Sequence, residues 1–270
     1  MPDNEGSSKS KIVVLEVRPR EFSKKDPIAW VMIERKEVYK GSNSNGQVDE
    51  ASICLSYRRI VSPSSTSSAG FGRFVGSYSK SSNMVSLSSP STSQSGAVFL
   101  DLPNLMGNRI GTYLMNEIVL WVKHWPDAKV RSISLLDLQA QPDNKERRNR
   151  FYEQFGLNFK YTDKDHKEGT SMEILAKELK TTEKWKENIT ERELPDFLSQ
   201  MINKIEKLSK ELERITTELN QFKSENEKAK KYPVLWAIKQ LYYRYAPVIG
   251  LIVIVILAAI AGVLIWLNHK

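Results

Sequence analysis

The run from Ala246 to Leu267 constrains this chain more than any other feature. Its 22 residues are all apolar or small, and none is charged. At 1.5 Å per residue, a helix of that length spans roughly 30 Å, the thickness of a bilayer's hydrocarbon core. A soluble core helix this long would need a far larger protein around it. Tyr242, Tyr243 and Tyr245 flank one end and Trp266 the other, as in an interfacial aromatic belt. Asn268, His269 and Lys270 follow, so the run reads as a transmembrane tail anchor, residues 246–267. Lys228, Lys230, Lys231, Lys239 and Arg244 precede it. That positive charge predicts a cytoplasmic N-terminal part, with a bacterial inner membrane as the expected bilayer.

Upstream, residues 181–232 are strongly charged with regular apolar spacing. Leu198, Met201, Ile205, Leu208, Leu212, Ile215, Leu219 and Phe222 alternate steps of three and four, the a and d positions of heptads. Asn226 and Ala229 continue the register. The pattern predicts a coiled-coil stalk and a homo-oligomer through 198–229. Glu218 and Lys223, at g and the following e, suit pairing between chains, and Asn226 at a suits a fixed register. A single amphipathic helix packed on the globular part is the alternative. Pro233 is expected to break the stalk. Residues 233–245, with Val234, Leu235, Trp236, Ile238 and Leu241, then read as a short amphipathic helix in the membrane interface.

Residues 11–180 have a globular composition, after a polar stretch, 1–10, expected to be disordered. The net charge of +8 is spread out and does not select nucleic acid as a partner. A single cysteine, Cys54, excludes an intramolecular disulfide and points to a reducing compartment. His124, His166 and His269 are scattered, so no metal site is expected. β-branched and aromatic content predicts strands at Lys11–Val17, Ala29–Arg35, Ser52–Ile60 and Phe71–Tyr78. Residues 61–95 are serine-rich and read as loops between hairpins. An apolar strand, Ala97 to Leu102, then meets Pro103 and a loop with Gly107 and Gly111. This loop feeds a helix from about Arg109 to His124. Strand, glycine-containing loop and helix together aim free backbone N–H groups at an anion. Further strands are expected at Val130–Leu138, Leu157–Thr162 and Ser171–Ala176, with a helix at Asn144–Phe155. The order predicts a mixed α+β fold, a central mixed sheet flanked by helices.

Two segments of this region resemble the GNAT-type N-acetyltransferases, which use acetyl-coenzyme A. The first carries Pro103, Gly107, Ile110, Gly111, Thr112 and Leu114 at the spacing of the family's loop and helix. The second is Asn149-Arg-Phe-Tyr-Glu-Gln-Phe-Gly156, which matches through Phe151, Tyr152, Glu153 and Gly156. The resemblance covers residues 97–176. Met106 stands where the motif has Arg or Gln, and Arg109 replaces its middle glycine. The family's pair of helices after the first strand has no room between Val17 and Ala29.

The resemblance implies a fold, a co-substrate and roles. Backbone groups of Phe99, Leu100, Asp101 and Leu102 would pair with the pantetheine arm. Backbone N–H groups of Gly107, Asn108, Arg109, Ile110, Gly111 and Thr112 would hold the pyrophosphate, with the Arg109 guanidinium suited to phosphate. Tyr152 would act as general acid toward the departing thiolate. Asn144 lies near the family's motif asparagine. Glu34, Asp49, Glu50, Asp101 and Asp137 are candidates for a general base by position alone. Arg147, Arg148 and Arg150 read as a solvated helix face, and no nucleic acid is expected. Two functions remain open. One is a membrane-tethered acetyltransferase acting on an amine, on a protein or small molecule. The other is an inactive GNAT-like binding module that oligomerises at the membrane.

Overall fold

The structure, a computed structural model, describes residues 7–21, 26–41, 48–60, 70–92, 102, 105–140 and 144–268. It divides into two units, Met1–Ser199 and Gln200–Lys270. The first is a mixed α+β unit and the second is helical. In chain order the elements are β1 (Ser7–Val17), β2 (Ala29–Gly41), β3 (Val48–Ile60), β4 (Phe71–Ser79), β5 (Met84–Ser86), α1 (Ile110–Val122), β6 (Lys129–Val130) and β7 (Ser134–Leu135). They continue with α2 (Lys145–Glu153), β8 (Phe159–Tyr161), β9 (Gly169–Ser171), β10 (Ile189–Glu193), α3 (Leu194–Lys231) and α4 (Pro233–Asn268).

Strands β1 to β4 form a meander in which each pairs antiparallel with the next. Along β3, Ala51, Ile53, Leu55 and Tyr57 are buried and the residues between them are not. That period of two marks a sheet with one face on the core. Next, β5 pairs antiparallel with β4 and parallel with β6. Parallel neighbours need a crossover, and α1 lies within it. The serine-rich stretch read as loops therefore contains a further strand, β5, beside the expected β4. Polar residues are tolerated there because β4 and β5 sit inside a ladder that satisfies their backbone. The strand expected at Ala97 to Leu102 lies outside the described residues except for Leu102.

The crossover helix supplies the centre of the core. Leu114, Met115, Ile118, Val119, Trp121 and Val122 are fully buried. Gly76 on β4 makes their approach possible. A Cβ there would meet Ile118 Cγ2 at 3.0 Å and Ser86 O at 3.1 Å. Tyr78 stacks on Trp125 just beyond the helix, with ring centroids 4.2 Å apart.

After α1 the chain changes sheets. Arg131 N–H donates to Val85 O at 2.8 Å, and Ile133 N–H donates to Ser171 Oγ at 2.9 Å. The single strand expected at Val130–Leu138 is therefore split. Its start, β6, belongs to a seven-stranded sheet of order β10-β1-β2-β3-β4-β5-β6, and β7 belongs to a second sheet of order β7-β9-β8. The strand expected at Ser171–Ala176 is split likewise, because Leu175 bridges back to Lys129.

The stalk begins later than the charge pattern predicts. Residues 189–193 form β10 and pair antiparallel with β1, from Val17↔Ile189 to Val13↔Glu193. Trp185 is buried beside Tyr113, edge-on with centroids 4.9 Å apart. Helix α3 follows, with Pro195 in its first turn, where a missing N–H costs nothing. Phe197, nearly buried, lies 6.4 Å from Trp30, centroid to centroid.

In the second unit, Ile205, Leu208, Leu212, Ile215, Leu219 and Phe222 are exposed along α3. Pro233 breaks the helix less than expected. Tyr232 N–H still bonds Lys228 O and Trp236 N–H bonds Tyr232 O, both at 2.9 Å. A proline at the first helical position forfeits only a hydrogen bond it could not have made. Segment 233–245 is continuous with the apolar run inside α4, a helix of 36 residues containing Pro247. This helix is long and apolar enough to cross a membrane.

The fold predicts the smallest stable fragment. Residues 1–199 should unfold cooperatively in a circular-dichroism melt. Residues 1–180 should show no cooperative transition, because they lack β10 and Trp185. Loss of a packed tryptophan alone costs about 3–5 kcal/mol, a large share of the roughly 5–15 kcal/mol that holds a domain together.

Candidate functional site

The loop before α1 is built by two left-handed residues. Gly107 has φ +84° and Arg109 φ 63°, and Arg109 caps the helix with its backbone alone. Leu102, Leu105 and Ile110 are buried and pin the loop to the core. Asn108 N–H turns back to Leu105 O at 3.3 Å. Among the described residues, a Cβ built on Gly107 would meet nothing within 4 Å. The first turn of α1 carries no acidic side chain. Backbone N–H groups at such a helix start are available to an anion.

The side chain of Arg109 is used otherwise than expected. Its Nη1 donates to Lys184 O at 2.8 Å and to Glu187 Oε2 at 2.7 Å. The guanidinium thus holds the loop to the segment before β10, where a carbonyl and a carboxylate already neutralise it. Asn188 reinforces this clamp, its Nδ2 donating to Arg18 O at 3.0 Å and Asn108 O at 3.2 Å. Phe99, Leu100 and Asp101 lie outside the described residues.

Helix α2 lies against this loop. Gln154 Nε2 donates to Thr112 Oγ1 at 3.5 Å, and Arg147 Nη2 approaches Met106 Sδ at 3.8 Å. The two motif segments, some forty residues apart, are therefore neighbours. Tyr152 is buried between Phe151 and Phe159, with centroids 5.1 and 5.6 Å away. Burial pushes its hydroxyl up to about 12, against the nearby Arg148 charge. Tyr152 therefore keeps its proton at neutral pH. Asn144 has a local role: its Nδ2 donates to Gln139 O at 2.8 Å, and its Oδ1 accepts from Arg147 at 2.7 Å.

The basic cluster is not a uniformly solvated face. Arg147 and Arg150 are exposed, but Arg148 is buried. Its guanidinium donates to Leu136 O and Lys167 O, both at 2.8 Å. The cation is buried because carbonyls of two loops replace its water.

A polar chain under α1 went unnoticed in the sequence. Glu117, one turn after Tyr113, pairs with Arg35 on β2. Arg35 also pairs with Glu37 at 2.6 Å, Tyr39 donates to Glu37, and Trp121 Nε1 donates to Tyr39 Oη at 3.0 Å. Tyr113 donates to Glu191 Oε2 on β10 at 2.9 Å. Burial raises the Glu117 carboxyl above the ordinary glutamate range, with Arg35 opposing. For Glu37, burial also pulls upward, but the donors Tyr39 and Arg35 outweigh it and hold the carboxyl low. The signal available was a single charged residue in a mostly apolar helix, Ile110 to Val122. Of the carboxylates considered as a base, Asp49 pairs with Lys80 and Glu50 with Lys40, while Glu34 and Asp137 are exposed. Asp101 lies outside the described residues. Among the described residues, no three His, Cys, Asp or Glu side chains converge as a metal site requires.

No protein-family model, curated protein or solved structure matches the chain.

Glu117 should leave a signature in stability against pH. A carboxyl whose folded value lies above its unfolded value near 4.5 favours folding when protonated. Its contribution is full below that unfolded value and is lost as pH rises through the folded one. Thermal melts should therefore show Glu117→Gln gaining on the parent as pH rises from about 4.5 toward neutrality. A constant difference across that range would remove Glu117 as the titrating group.

Proposed function

We propose that the chain is a membrane-tethered acetyltransferase of the GNAT type, moving acetyl from acetyl-CoA to an amine. The observation that carries this reading is the meeting of loop and helix. Gln154, just after the tyrosine-bearing helix, touches Thr112 in the first turn of α1, which supports reading the two motif segments as one site. The backbone N–H groups from Gly107 to Thr112 suit a pyrophosphate, and Gly107 leaves room for it. Tyr152, buried and protonated at neutral pH, is the group to supply a proton to the leaving thiolate.

Helix α4 is the proposed tail anchor, with Ala246 to Leu267 in the hydrocarbon. The cations before it favour a cytoplasmic catalytic unit, and the bilayer in this reading is a bacterial inner membrane. The exposed seam on α3, from Ile205 to Phe222, supports a homo-oligomer through 198–229. The second reading is a GNAT-like module that binds without catalysis. It is favoured by Arg109, whose Nη1 is engaged by Glu187 and Lys184, and by Asn144, whose amide is engaged by Gln139 and Arg147.

Calorimetry on residues 1–199 should give saturable acetyl-CoA binding. Absence of any heat with acetyl-CoA or CoA would sink both forms of the reading. Tyr152→Phe should lower turnover by roughly 10²-fold with affinity little changed. Binding without turnover in the parent chain selects the second reading. For the stalk, crosslinking of the full chain through α3 should yield a discrete oligomer, and Leu212→Asp should abolish it. A strictly monomeric parent would refute the coiled coil.

A further inference from the structure

We infer that residues 228–244 form a collar that selects anionic phospholipid headgroups. The inference rests on the membrane insertion proposed above for α4. From Lys228 to the last residue, Lys270, the sequence contains no aspartate or glutamate. Five cations fall within the first 17 of those residues: Lys228, Lys230, Lys231, Lys239 and Arg244. No acid in this stretch neutralises them, and all lie within one helical unit.

Length places the collar at headgroup depth. Helix α4 has 36 residues, about 54 Å at 1.5 Å per residue, against a hydrocarbon core of about 30 Å. The charge-free part beginning at Ala246 fills the core, so the preceding turns emerge among the headgroups. Helical hydrogen bonds across Tyr232 keep the cations before and after Pro233 on successive turns.

The emerging turns are two-sided. Val234, Ile238, Leu241 and Tyr245 recur at the spacing of one helix face, and Trp236, Lys239, Tyr243 and Arg244 fall on the other. Two of the cations stand over rings: Lys239 Nζ is 5.7 Å from the Tyr243 centroid and Lys231 Nζ is 5.4 Å from that of Tyr232. The rings orient ammonium groups without cancelling their charge. An aromatic belt at the interface and a ring of unneutralised cations fit phosphate-bearing lipids of net negative charge.

The test reconstitutes the full chain into vesicles of phosphatidylcholine and phosphatidylglycerol in equal amounts. Flotation is scored first, and lipid retained after mild detergent extraction is then identified by mass spectrometry. The parent should retain phosphatidylglycerol over phosphatidylcholine by roughly fivefold. Raised salt should reduce the excess. Replacing Lys228, Lys230, Lys231, Lys239 and Arg244 together with glutamine should abolish it, while lysine-to-arginine replacement at the four lysines should keep it. Equal retention of the two lipids by a parent chain that floats would overturn the collar, as would an excess that survives the glutamine variant. Failure of the parent to float overturns the membrane reading itself, and the collar with it.

Discussion

Asn188 ties together three stretches of chain. It is buried to 2 % exposure. Its amide nitrogen serves the carbonyls of Arg18 and Asn108, and its backbone oxygen accepts from Arg18 N–H at 2.8 Å. The end of β1, the start of β10 and the loop before α1 are thereby locked. Losing the amide would strand two carbonyls in a water-poor place, at about 1–3 kcal/mol each. With Arg109 on Lys184 and Glu187, this clamp fixes the loop before any ligand arrives. The loop is left with its backbone donors and an open Gly107.

The polar chain under α1 sets a second constraint. A helix buried on so much of its circumference has little apolar pattern to choose its rotation. Glu117 to Arg35, Trp121 to Tyr39 and Tyr113 to Glu191 make that choice, because each bond exists at one rotation only. Removing one partner would leave a half-buried charge uncompensated, which costs far more than the pair returns. The same rotation directs Thr112 toward α2, so the neighbourhood of loop and tyrosine depends on this layer.

The elements legible in the sequence were those whose apolar pattern matched their burial. Strands β2 and β3 alternate, β1 ends in an apolar run, α1 is mostly apolar, and α2 carries Phe151 and Tyr152. The rest was hidden for identifiable reasons. Strand β10 reads Ile-Thr-Glu-Arg-Glu and buries only Ile189, so its pairing with β1 looks like part of a charged stalk. Strand β5 has three residues in a serine-rich stretch, and no period can be read from three residues. The Val130–Leu138 run reads as one strand, but it serves two sheets in turn, and periodicity does not report a change of partner. At the site, the position of Tyr152 was legible from its motif. The uses of Arg109 and Arg148 were not, because their acceptors are backbone carbonyls, which every sequence contains everywhere.

In the proposed oligomer, the anchor decides orientation before the stalk does. Chains inserted in one bilayer present α3 in parallel. In parallel register Glu218 at g faces Lys223 at e of the next chain. In the single helix, Glu218 already accepts from Arg214 at 2.9 Å, and both side chains are well exposed. Exchanging one exposed ion pair for another changes stability by only a few tenths of a kcal/mol. The charges therefore specify alignment and contribute little to holding the chains together. Association has to come from Ile205, Leu208, Leu212, Ile215, Leu219 and Phe222, each at least half exposed along α3. A stalk of this kind is strong where its seam is apolar and weakens toward Asn226, just before the cationic turns that lead into α4.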